Sequence, residues 1–134
     1  MLPFAELKAA ATAGKLKVSI ELAGDPVEFV FRKPSAREWM DYDAAQIAYV
    51  TAVKSSNINT ALTKEMMEQA EQLCVRVINS HTAQQLQDLN EEHLGIFFPL
   101  ALEIAAVIEA LRAGAPKAVK SGGASSATDA KASE

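Results

Sequence analysis

VEFVFRKPSAREWMDYDA, residues 27–44, passes from a β-strand pattern directly into the start of a helix. The first part alternates as a strand with one buried face does, with apolar side chains at Val27, Phe29 and Phe31. Pro34 cannot donate to a strand ladder and holds the residue before it in an extended conformation. Ser35 and Glu38 have the spacing of a helix capping box. The stretch therefore predicts a strand that is followed at once by a capped helix.

The residues before this stretch complete a β-hairpin. Residues 16–22 also alternate, with apolar side chains at Leu16, Val18, Ile20 and Leu22. The segment Ala23-Gly24-Asp25-Pro26 between the two patterns is rich in turn-forming residues. An isolated hairpin is marginally stable in water, so its apolar face must lie on the helices or be extended by a strand of another chain. Further upstream, good helix formers at residues 4–13 followed by Gly14 predict a short N-terminal helix.

The helix that follows Ser35 carries a broad apolar side. At about 100° per residue this side contains Trp39, Met40, Ile47, Val50 and Val53, with Asp43 and Gln46 among them. We interpret Trp39 as a core anchor rather than as part of a binding site. Asp43 then needs a partner, such as the indole N–H or an arginine, because burial of an unpaired carboxylate is costly.

Further helices are predicted after the polar loop at residues 54–59. Thr63 is the candidate N-cap of a helix that runs to about Asn79 and has one ordinary apolar stripe. Thr82 together with Gln85 predicts a short turn of helix.

The last long helix has an unusually wide apolar arc. Asn90 is its candidate N-cap, and we expect Pro99 to kink or interrupt it. Its apolar residues cover roughly 200°, about twice the minimal stripe of a surface helix. Either this helix is central in its own fold, or another copy of the chain or a client protein buries part of it. The residues predicted for this partner or self-association surface are Ile96, Phe97, Leu100, Ile104, Val107 and Leu111.

The composition is that of one globular domain in a reducing compartment. The chain of 134 residues has a net charge of -4, which gives no basic surface for nucleic acid. Its single cysteine, Cys74, cannot form an internal disulfide, and its N-terminus lacks the pattern of a secretory signal. Residues 94–111 include two glutamates and a proline, which disfavours a membrane span. We expect a cytoplasmic protein without nucleic-acid or membrane partners.

These patterns together predict an α+β, mostly α fold. It consists of a short N-terminal helix, one β-hairpin and then three to four helices, all in a single domain at residues 1–114. Residues 115–134 are poor in large apolar side chains, and we predict a flexible, low-complexity tail there.

No catalytic or metal-binding pattern is present in the sequence. Cys74, His81 and His93 lack the close pairing of zinc ligands, and Cys74 lies on an apolar stripe. Glu91 and Glu92 fall in the first turn of the predicted last helix, where carboxylates stabilise a helix without any catalytic role. There is also no phosphate-binding glycine loop and no serine nucleophile motif. We expect a non-enzymatic protein, without cofactor or metal, that binds other proteins.

The order of these parts resembles that of the tail assembly chaperones of long-tailed bacteriophages. The resemblance covers about residues 4–113 and includes the joint FVFRKPSAREW at residues 29–39, an acidic helical body and a low-complexity end. It implies a protein absent from the mature virion that coats the tape measure protein in the host cytoplasm. It also implies recruitment of tail tube protein, self-association into a homo-oligomer and a longer form made by programmed frameshift. The codons of Ala115-Pro116-Lys117 permit a slippery site for such a frameshift.

The alternative that the residues leave open is a small oligomeric helical adaptor or regulatory subunit of bacterial or phage origin. Both functions use broad apolar surfaces that bind other proteins. Neighbouring genes distinguish the two, because a tail chaperone gene lies among tail genes.

Overall fold

The computed structural model describes residues 3–114, so the predicted tail at residues 115–134 and its candidate frameshift tripeptide lie outside the described residues. Within this range the chain forms helices and one two-stranded antiparallel sheet, which confirms the predicted α+β, mostly helical fold. In chain order the elements are α1 (Phe4–Ala13), β1 (Leu16–Leu22), β2 (Asp25–Phe31), α2 (Ala36–Lys54), α3 (Thr60–Val77), α4 (Ala83–Glu92) and α5 (Phe97–Ala113).

The hairpin of β1 and β2 forms as the alternating pattern predicts. Its register runs from Leu16 opposite Phe31 to Leu22 opposite Asp25. The turn is shorter than predicted, because Asp25 and Pro26 already belong to β2. Only Ala23 and Gly24 connect the strands, with φ values of 54° and 87°. Two successive positive φ values are typical of the type I′ turn that suits a two-residue hairpin.

The segment after α3 covers the outer edge of β2. The Arg32 N–H donates to the Val77 carbonyl at 2.9 Å, and the Asn79 N–H donates to the Val30 carbonyl at 2.9 Å. Among residues 3–114, no strand pairs with the outer edge of β1. The sheet therefore has one covered edge and one open edge.

Arg32, Ser35 and Glu38 connect β2 to α2. The predicted capping box is confirmed, since the Ser35 hydroxyl accepts from the Glu38 N–H at 3.2 Å and the Glu38 carboxylate accepts from the Ser35 N–H at 2.9 Å. The Arg32 guanidinium also donates to both oxygens of Glu38, each at 2.9 Å. It donates in addition to the Arg76 carbonyl at 3.0 Å, so the joint is tied to the end of α3.

The bounds of α3 differ from the prediction at both ends. Its N-cap is Asn59, whose side-chain oxygen accepts from the Leu62 N–H at 2.8 Å, and not Thr63. An asparagine at this position satisfies a free N–H of the first turn as well as a threonine does. The helix ends at Val77, because Ile78 takes an extended conformation and bridges to β2.

The start of α5 also differs from the prediction. Thr82 and Gln85 start a helix as predicted, through a capping box, but this helix, α4, is longer than the predicted short turn and continues past Asn90 to Glu92. Asn90 therefore does not cap α5; its side-chain oxygen accepts from the Ile96 N–H at 2.7 Å across the turn between the helices. Pro99 does not interrupt α5, because it lies in the first turn, where its missing N–H has no partner to lose.

The core lies where α3 and α5 pack beside the hairpin. Phe29 and Phe31 of β2 are fully buried, as are Leu100 and Ile104 of α5. Helix α5 contacts α1, β1 and α3. Of the two alternatives for its wide apolar arc, the structure supports the first, in which the helix is central in its own fold.

Candidate partner-binding surface

Helix α2 turns most of its predicted apolar side to the solvent. Four large apolar side chains are 41% to 66% exposed, namely Met40, Ile47, Val50 and Val53. The opposite side is buried through Tyr42, Ala45 and Ala52, and α2 packs on α3. Of the five apolar residues predicted on this side, only Trp39 packs against the core, and the other four face the solvent. Two small alanines and one aromatic ring make the contact instead, since alanine permits close approach of helices.

The exposed side of α2 has the spacing of a helix-pairing seam. Met40, Ala44, Ile47 and Thr51 are all exposed and follow one another at intervals of four, three and four residues. Side chains at this spacing align along one face of a helix, where a second helix packs. We call these four residues the α2 seam. It contains no charged residue, and Val50 extends its apolar area at one side.

Trp39 and Tyr42 lie beside each other at the start of α2. Their ring centroids are 5.6 Å apart and the ring planes are inclined by 41°. Trp39 packs against the core as predicted but remains half-buried. The buried indole N–H and phenol hydroxyl find no hydrogen-bond partner within residues 3–114. Of the two partners expected for Asp43, the indole therefore does not bond to it, and no arginine of these residues forms an ion pair with it. Burial is the main cause that raises the pKa of Tyr42 to about 12, so its phenol stays neutral.

A groove of about 310 Å³ adjoins the start of α2. One wall is formed by residues 33–36 and Trp39, and the other by Ile108, Leu111 and Arg112 of α5. The groove thus combines apolar side chains with two cations, Lys33 and Arg112. It provides a second partly apolar area at the start of α2.

Four of the six surface residues predicted on α5 lie in the core. Ile96, Leu100 and Ile104 are 0% exposed and Phe97 is 5% exposed, so the prediction that they face a partner is wrong. The chain itself covers them. Val107 and Leu111 are half-buried and line grooves at the protein surface. The exposed apolar side lies on α2 instead. The sequence predicted that this helix has a broad apolar side, but it did not indicate that this side faces the solvent.

Cys74 and His81 are held in structural contacts. Cys74 is 0% exposed, its thiol lies 3.7 Å from the Phe97 carbonyl oxygen, and burial raises its pKa. The thiol therefore stays protonated. His81 stacks on Phe29 with ring centroids 4.7 Å apart. Over residues 3–114, no group of three His, Cys, Asp or Glu side chains is arranged to hold a metal ion.

The helices of residues 3–114 include none with the length and apolar character to cross a membrane. The chain shows no significant match to a protein-family model, a curated protein or a solved structure. Its function is therefore inferred from its surfaces and from the order of its parts.

Proposed function

We propose that this protein is a non-enzymatic tail assembly chaperone of a long-tailed bacteriophage. It binds and solubilises the tape measure protein in the host cytoplasm, helps recruit tail tube subunits and is absent from the mature virion. The observation that carries the proposal is the exposed, uncharged α2 seam. The resemblance in the order of parts over residues 4–113 supports the tape measure protein as the client, and the seam is the surface proposed for it.

A helical client segment is the occupant that the α2 seam fits best. Side chains at intervals of three and four residues pack along a helix that carries an apolar stripe of its own. Met40 is 66% exposed, and its unbranched, polarisable side chain can adapt to different client sequences. The seam includes small and polar members, Ala44 and Thr51, so each contact is weak. Weak contact with many apolar segments is what a chaperone of a long client requires.

Co-expression with the tape measure protein of the same genome tests this function. We expect the wild-type chain to raise the soluble fraction of the client several-fold. Ile47→Glu places a charge in the centre of the seam and should abolish the effect, because burial of an unpaired carboxylate opposes docking. Ile58→Glu is the matched control, since Ile58 is 50% exposed, close to the 58% of Ile47, but lies in the turn between α2 and α3.

Circular dichroism of each variant shows that it is folded. A wild-type chain that leaves the tape measure protein insoluble would contradict the proposed function. Equal loss of activity in Ile47→Glu and Ile58→Glu would contradict the assignment to the seam. The genome offers a further check, because a tail chaperone gene should lie among tail genes and overlap a second reading frame near codons 115–120.

A further inference from the structure

The open edge of β1 is bordered by two cavities. One, of about 510 Å³, touches strand and turn residues 19–23, and the other, of about 720 Å³, touches residues 15–17. Successive side chains of a strand point to opposite faces. A cavity that touches consecutive residues therefore runs along the edge of the strand rather than over one face. Together the two cavities touch every residue of β1 except Val18, and their other walls come from α1, from α5 and from the turn before α5.

The two cavities carry opposite charge. The one at residues 19–23 is lined by Glu21 and, from α5, by Glu103, together with His93. The one at residues 15–17 is lined by Lys15 and Lys17, together with a single carboxylate, Glu6, from α1. One end of the open edge is thus acidic and the other is basic. An antiparallel partner of the same sequence would place its basic end on the acidic end.

We propose that β1 pairs with β1 of a second copy, antiparallel and centred on Ser19, so that the two hairpins form one four-stranded sheet. This is the register in which all residues of β1 (Leu16–Leu22) are paired. It places Lys17 opposite Glu21 of the second copy, twice in the symmetric dimer. On the apolar side it places Leu16 opposite Leu22 and Val18 opposite Ile20.

A second copy is favoured over another strand because the edge is complementary to itself. Lysines on an edge strand ordinarily discourage pairing with other chains. Here Lys17 and Glu21 lie at equal distances on either side of Ser19. When the partner strand is identical, each lysine therefore faces a glutamate, and the dimer has two cross-strand pairs of opposite charge. A two-fold dimer requires this kind of self-complementary patch. The pairing involves no residue of the α2 seam, so it does not rest on the proposed client.

Sedimentation at a series of micromolar concentrations tests the charge pairing. We expect a dimer whose dissociation constant rises about tenfold or more in Lys17→Glu and in Glu21→Lys, since each variant creates two like-charge pairs. The double variant Lys17→Glu/Glu21→Lys restores opposite charges and should recover most of the affinity. Lys64→Glu and Glu68→Lys are matched controls, because they have the same spacing on the exposed side of α3 and should leave the dimer unchanged.

Cross-linking tests the register. In the proposed dimer Ser19 faces itself, so Ser19→Cys should form a disulfide-linked dimer under mild oxidation, whereas Glu28→Cys on β2 should not. Buried Cys74 does not compete. A monomer at all concentrations, or a dimer that is insensitive to these changes or is disrupted by Ile47→Glu instead, would overturn the proposal. Loss of client binding without loss of the dimer would contradict only the proposed function.

Discussion

Arg32 links the joint between β2 and α2 to the end of α3, which is far away in sequence. Its guanidinium donates to both carboxylate oxygens of Glu38 and to the Arg76 carbonyl. The Ser35–Glu38 capping box was predictable, because it depends on local spacing alone. The contacts of Arg32 were not predictable, since they depend on how β2, α2 and the end of α3 come together in space.

The effect of Glu38 on stability should depend on pH. The Arg32 guanidinium, followed by the Ser35 N–H, lowers the pKa of Glu38 from 4.5 to about 2. The folded state thus favours the ionised carboxylate. Its contribution is complete above about pH 4.5 and is lost as the pH falls through about 2. We expect Glu38→Gln to lower the free energy of unfolding by about 1 kcal/mol at neutral pH, a modest value because Arg32 is 42% exposed.

Urea unfolding at about pH 7 and about pH 3 measures this effect. The difference between the wild-type chain and Glu38→Gln should be smaller at the lower pH, because Glu38 is largely protonated there in the unfolded chain and still ionised in the folded one. The control is Glu68→Gln, an exposed site on α3 that should change stability little at either pH. A Glu38→Gln chain as stable as the wild type at neutral pH would show that the ion pair does not stabilise the joint.

Helices α2 and α5 show what helical periodicity can and cannot predict. The sequence correctly predicted that both are helices with broad apolar sides. It did not predict that α5 is enclosed by its own chain while α2 exposes Met40 and Ile47. A helical wheel shows how much apolar surface a helix carries. It does not show whether other parts of the chain pack on that surface, because this depends on the tertiary structure. The sequence therefore predicted that an apolar partner-binding surface exists, but it placed that surface on the wrong helix.

The hairpin was more fully predictable than the helices. Alternation of apolar and polar residues fixes which face of a strand is buried, and a shift of one residue would expose every apolar side chain. The register from Leu16 opposite Phe31 follows from this constraint. The covering of β2 by the segment after α3 was not predictable, because it joins residues far apart in the chain.

Substitution of core and surface residues of α5 should have unequal effects. Ile104 is 0% exposed, whereas Val107 is half-buried beside a groove. Ile104→Ala should lower the free energy of unfolding by about 2–5 kcal/mol, and Val107→Ala by about 1 kcal/mol, because only the first leaves an enclosed cavity. Chemical denaturation measures both values. Equal, small effects would mean that α5 is not central in the fold.

At the scale of the whole molecule, residues 3–114 carry two separate surfaces that are proposed for binding. The α2 seam is proposed for a helical client, and the open edge of β1 is proposed for a second copy. Because they involve different elements, one molecule can use both at once. A dimer would then present two seams to one client, and two linked weak contacts bind more tightly than either alone. This arrangement suits a long client with many similar segments.

The proposed use of the α2 seam is tested most directly by the methionine methyl signals of the protein in solution. Met40 is 66% exposed in the seam, and Met66 is 1% exposed in the core. With methionine methyl groups labelled with carbon-13, and Met40→Leu used to assign its signal, a soluble helical fragment of the tape measure protein is added. We predict that the Met40 signal shifts or broadens as the fragment binds, while the Met66 signal keeps its position. Binding that leaves the Met40 signal unchanged would contradict the account.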